Sequence, residues 1–107
     1  MTSLELLKRY EAMLQLSRQM LDAAKNAEWE KLVELEQVRS AVEEELKRND
    51  TIRWQPAEAA KKAALIQSIL DGDAEIKGLT ESWMKELQGD IGSIGTEMKL
   101  KKAYGAL

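Results

Sequence analysis

The sequence has no cysteine, no histidine and no phenylalanine, and its 107 residues include one proline. Without cysteine there is neither a disulfide framework nor a thiol nucleophile. Without histidine the chain lacks the commonest metal ligand and the commonest general base at neutral pH. These absences close most catalytic routes, and no cofactor is expected. Positive charge is not in excess: 16 Lys and Arg against 19 Asp and Glu leave −3, the wrong sign for a nucleic-acid surface. No apolar run is long enough to span a bilayer, and the start, Met1-Thr2-Ser3-Leu4-Glu5, lacks the basic-then-apolar order of a secretory signal. A cytoplasmic protein is expected.

What remains is helix-forming material. Leu, Ala, Glu, Lys, Gln and Met lose least on entering a helix, and they dominate the chain. At 44% apolar and 33% charged residues, a folded domain with one modest core is expected. The first helix runs from Ser3, a candidate cap, to Lys25. Its stripe is Leu6, Leu7, Tyr10, Met13, Leu14, Ser17, Met20, Leu21 and Ala24, at three- and four-residue steps. Asn26, tolerant of the left-handed conformation, is the expected stop. The second helix runs from Ala27 or Glu28 to Arg48 on a stripe of Trp29, Leu32, Leu35, Val42 and Leu46, with Val33 and Val38 on the flanks. The short turn between the two requires antiparallel packing.

After a connector at 49–55, Pro56 suits the first turn of a third helix that reaches about Leu87. Its main ridge is Leu65, Ile69, Gly72, Ile76, Leu79 and Trp83. Beside it runs a second ridge, Ile66 and Leu70, followed on the same face by Asp73 and Lys77. Glycines at 89, 92 and 95 then weaken any helix by roughly 1 kcal/mol each. The expected architecture is all-α: an antiparallel three-helix bundle (1–88), then a glycine hinge and a short, mobile C-terminal fourth helix (89–107).

Several candidate sites reduce to ordinary helix chemistry. Asp71-Gly72-Asp73-Ala74-Glu75 opens like a calcium loop, but Ile76 stands where that loop needs glycine and Ser82 where it needs glutamate. The three late glycines follow no strand and precede no Gly-Lys-Ser/Thr, so they make no phosphate cradle. Glu43–Lys47, Glu44–Arg48, Asp73–Lys77 and Glu81–Lys85 read as i,i+4 pairs on solvated faces. Arg39 falls within the stripe of the second helix. One arginine is too few for the dicarboxylate pocket of an all-helical enzyme, so its stem packs, or its head pairs with a carboxylate on a neighbouring helix.

The Ile66–Leu70 ridge has two readings of equal weight on composition: a partner groove, or a core or homodimer contact that covers it. Tyr104, near the end of the chain, is either a local packing residue or an anchor that docks a partner.

Three stretches carry a resemblance that covers nearly the whole chain. The first is Tyr10 through Leu35, a Leu-Ser-x-x-Met-Leu helix followed by Ala-x-x-x-Glu-Trp and a Leu-rich second helix. The second is Ile66-Gln67-Ser68-Ile69-Leu70-Asp71-Gly72-Asp73-Ala74-Glu75-Ile76-Lys77-Gly78-Leu79, continuing to Lys85-Glu86-Leu87. The third is Ile91-Gly92 with Ala103-Tyr104-Gly105 downstream. In order and spacing these resemble the FliT family, type III export chaperones for the flagellar filament-cap protein FliD. The family's Leu-rich run in the third helix is broken here by Glu75 and Thr80.

The resemblance implies three bundled helices and a shorter, movable fourth. It implies binding of the C-terminal segment of FliD, prevention of its early assembly, and delivery to the export gate FlhA and the export ATPase complex. Enteric relatives also restrain the master regulator FlhDC. The family's partner contacts carry over onto Ile66, Leu70, Lys77 and Tyr104, with the client segment beside the third helix and the fourth helix competing for or bordering that groove. The rival reading is a structural helical adaptor that oligomerises without a client.

Overall fold

The computed structural model describes residues 1–86. The expected glycine hinge, the fourth helix and Tyr104 lie outside the described residues. Three helices follow in order, α1 (Ser3–Lys25), α2 (Trp29–Asn49) and α3 (Pro56–Glu86). They run up, down and up, because a three-residue turn joins α1 to α2 and residues 50–55 return the chain to the start of α3. The boundaries match the periodicity to within a residue or two.

The termini of α1 differ from expectation. Thr2, not Ser3, is the cap: its hydroxyl accepts from the Glu5 N–H, and the Glu5 carboxylate reaches back to the Thr2 backbone N–H, a capping box. The Thr2 hydroxyl, which also donates to Glu5 Oε1 at 3.0 Å, and after it the backbone bond hold the Glu5 carboxyl below its usual value. Ser3 instead donates from Oγ to Glu58 Oε2 at 2.6 Å, tying the first turn of α1 to the first turn of α3. At the other end Asn26 is the cap residue but has φ −95°; the left-handed residue is Ala27, with φ 57°. The Ala27 N–H donates to the Ala24 carbonyl and the Glu28 N–H to the Ala23 carbonyl, the paired bonds of a Schellman ending. An alanine in this conformation costs about 1 kcal/mol relative to glycine.

Packing is unequal among the helices. α1 lies against both others, whereas the backbones of α2 and α3 nowhere approach to 8 Å between Cα atoms among the described residues. Eight of the 23 residues of α1 are buried, against three of 21 in α2 and three of 31 in α3, so α1 is the spine on which the others lean. Ala23 joins the buried set beside the expected stripe, and Val38 stays exposed. Thr80, which interrupts the leucines of α3, is fully buried, and its hydroxyl donates to the Lys77 carbonyl.

Two apolar clusters form along the molecule. The upper one joins Met20, Ala23, Ala24, Leu32, Val33 and Ile76. The lower one joins Leu6, Tyr10, Met13, Leu46 and Ile69, with Ile66, Leu65 and Trp54 at its edge. Between them lies a polar layer contributed by all three helices: Ser17, Arg39 and Asp73. Arg39 Nη1 donates to Ser17 Oγ at 2.9 Å and to Asp73 Oδ1 at 2.6 Å.

Candidate functional site

Because α2 and α3 are held apart by α1, their facing sides leave a groove of about 390 Å³ in the lower half of the molecule. Tyr10 and Met13 of α1 line it, with Arg39, Glu43, Leu46 and Lys47 of α2 on one side and Ile66, Ile69, Leu70 and Asp73 of α3 on the other. From Arg39 to Asp50 the lining follows about three turns of helix, on the order of 16 Å. That is enough for a short stretch of a further helix to lie along it.

One end of the groove is the Arg39–Asp73 pair. The Arg39 side chain is 11% exposed and that of Asp73 30%, so the pair is desolvated enough to hold its geometry. The expected Asp73–Lys77 surface pair does not form, since Asp73 is drawn across to Arg39 by the stronger, less solvated contact. Of the other expected pairs, Glu43–Lys47 is present at 3.7 Å, and Glu44 reaches Lys47 rather than Arg48.

The other end is a hub around Asp50. Its carboxylate accepts from the Tyr10 hydroxyl, from Trp54 Nε1 at 2.8 Å and from the Lys62 ammonium. Lys62 also lies over the rings of Tyr10 and Trp54, 5.4 and 4.8 Å from their centroids. Burial alone would raise the Asp50 carboxyl, but the bonds from Lys62, Tyr10 and Trp54 outweigh it and hold the group below its usual value. The same burial, with the Asp50 carboxylate beside it, pushes the Tyr10 phenol well up. The hub joins α1, the end of α2, the connector and α3, and so fixes the splay of the two groove walls.

The proposed ridge is divided by the structure. Ile66 is half-buried and packs on the lower cluster, while Leu70 stands 54% exposed on the groove wall. Lys77 is exposed one turn beyond Asp73 and is not part of the groove lining. Tyr104 lies outside the described residues. Sequence reasoning missed Tyr10 and Met13 as groove residues and Asp50 as the hub. A usable signal existed for the polar layer, since Ser17, Arg39 and Asp73 each stand between apolar residues three or four positions away, at 13 and 20, 35 and 42, and 69 and 76.

An apolar strip with charged ends, set between two helices of a small bundle, belongs to the class of helical binding proteins. Among the described residues no three metal-ligating side chains converge, and no helix is long and apolar enough to cross a membrane. The chain belongs to the FliT family of flagellar proteins: the family model described as Flagellar protein FliT matches residues 7–106. The Flagellar protein FliT of Photorhabdus laumondii subsp. laumondii is 31% identical over 103 residues, which cover 95% of this chain and 82% of that protein. No solved structure matches. The family is one of non-enzymatic flagellar chaperones.

Proposed function

We propose that this chain is a cytoplasmic export chaperone whose α2–α3 groove receives the C-terminal segment of the filament-cap protein FliD. Held there, the segment is kept from premature assembly until the complex reaches the export gate FlhA and the export ATPase complex. The observation that carries the reading is Leu70, a large apolar side chain exposed on the wall of an apolar groove that no described residue covers. Its neighbour Ile66 continues the ridge toward the floor, and Lys77 supplies a charge beyond the groove's end. Tyr104 serves the gate rather than the client. Restraint of the regulator FlhDC is a further role carried by the likeness to enteric relatives.

Titration calorimetry with the C-terminal segment of the same organism's FliD tests this. Binding with a negative heat-capacity change is expected, because apolar area is buried. Leu70→Asp should abolish binding while shifting stability by no more than about 0.5 kcal/mol, as for other exposed positions. Ile66→Asp should also weaken binding, at a cost to folding that Leu70→Asp avoids. Tyr104→Ala should impair docking to the gate more than binding of the cap protein. If the segment does not bind and the protein forms a stable oligomer that Leu70→Asp dissociates, a second copy covers the groove and the adaptor reading replaces this one.

A further inference from the structure

We infer that Arg39 is the specificity-determining residue of the groove, and that the occupant it selects is an amphipathic helix bearing a carboxylate among its apolar residues. The inference rests on the reading of the groove as the seat of a client.

The argument begins with the donors of the guanidinium. An arginine carries five N–H groups in a planar fork suited to a carboxylate. Arg39 spends only Nη1 on the fold, where it meets Ser17 and Asp73. Nε and Nη2 donate to no described residue, and neither counts as buried without a partner, since among the described residues the one such side-chain N or O atom is Trp29 Nε1. Arg39 lines the groove, so its remaining donors are available from there.

The charges around it sharpen the point. The groove contains three carboxylates besides, and each is already matched: Glu43 by Lys47 at 3.7 Å, Asp50 by Lys62, Asp73 by Arg39 itself. Of the two cations in the lining, Lys47 stands 64% exposed between Glu43 and Glu44, so the desolvated donor capacity left over is that of Arg39, 11% exposed. Toward the floor the surface turns apolar through Leu46, Ile66, Ile69 and Leu70. A helix lying there with its apolar face on these residues brings a side chain one or two turns away beside Arg39. A carboxylate at that position gains charge-assisted, two-oxygen bonds; an amide accepts through one neutral oxygen only, and an apolar group leaves the donors of Arg39 cut off from water.

The experiment pairs one residue with one functional group. Arg39→Lys keeps the charge and loses the fork. Calorimetry is run on wild type and Arg39→Lys with the FliD C-terminal segment, and with variants of that segment in which each carboxylate is replaced in turn by its amide. The expected result is a loss of about ten-fold or more on Arg39→Lys, matched by the same loss for one amide variant, with no further loss when the two are combined. Equal losses on Arg39→Lys for every segment variant, or no loss, would overturn the inference. If Arg39→Lys is too unstable to assay, Asp73→Asn takes its place: removing the competing internal carboxylate should tighten binding several-fold, and weakened binding counts against the idea.

A client-independent arm separates the two proposals. The Arg39 Nε–Hε resonance in wild-type protein should move on adding hexanoate and stay in place with hexanamide. That outcome upholds the role of Arg39 even where the FliD segment fails to bind. An identical response to both compounds, or none to hexanoate, overturns it even where the FliD segment binds.

Discussion

The upper and lower halves of the bundle solve the same geometric problem in different ways. In both, α1 keeps α2 and α3 apart, and the space between them must be filled or left open. The upper half fills it with aromatic rings: Trp29 of α2 and Trp83 of α3 stack with centroids 4.8 Å apart and planes 30° from parallel. The lower half spans the gap with charge, through Asp50 and Lys62 at the far end and Arg39 and Asp73 at the middle. Apolar filling is non-directional and closes a space. Charged links act at points and leave the space between them accessible. The groove is the result of that second choice.

The comparison can be broken most forcefully in the upper half. Ile76 is fully buried there, so Ile76→Ala should cost about 2–5 kcal/mol and lower the melting temperature by many degrees, measured by helical circular dichroism during heating. Leu70→Ala, on the groove wall of the lower half, should leave the melting curve almost unmoved.

Next in size is the hub. Asp50→Asn keeps an acceptor for Tyr10 and Trp54 but removes the counter-charge of Lys62, and should cost about 2 kcal/mol in urea unfolding. The wild-type pH profile should carry the same signature. The folded carboxyl of Asp50 is lower than its unfolded value of about 3.8, so its contribution is complete above that pH and is lost as pH falls through the folded value. The phenol of Tyr10 is raised above its ordinary value of 10, so its contribution is complete below pH 10 and is lost as pH rises beyond it. Stability unchanged across both boundaries would remove the hub from the account.

The smallest effect sharpens the comparison from outside both halves. Ala27→Gly should stabilise the α1–α2 turn by about 0.5–1 kcal/mol, because glycine adopts the left-handed conformation without a Cβ penalty. It should do so without altering client binding, since the turn lies at the opposite end of the molecule from the Asp50 hub.

Much of this was legible from periodicity alone. The three helices, the burial of Met20, Leu32 and Ile76, and the role of Pro56 in the first turn of α3 follow from local spacing and backbone chemistry. Arg39 within a stripe left two outcomes open, a packed stem or a carboxylate on another helix, and the fold supplies the second in Asp73. Other features were hidden for a common reason, which is that they depend on which helices approach each other. Asp73 and Lys77 satisfy the i,i+4 rule, so a one-dimensional reading pairs them; only the fold brings Arg39 nearer. Asp50 takes its partners from positions 10, 54 and 62, a set that no pattern in the connector announces. The groove itself depends on the separation of α2 and α3, and a hydrophobic stripe records how much of a helix is covered without recording by what.

The spine role of α1 has a genetic consequence. A side chain in α1 that faces both neighbours is answerable to two interfaces at once, whereas most of α2 and α3 answers to one. In a library of random single substitutions, loss of function through misfolding should therefore crowd into the codons of α1. Changes that alter partner choice while sparing the fold should scatter instead over the groove walls of α2 and α3, where selection can vary the surface without disturbing the support beneath it.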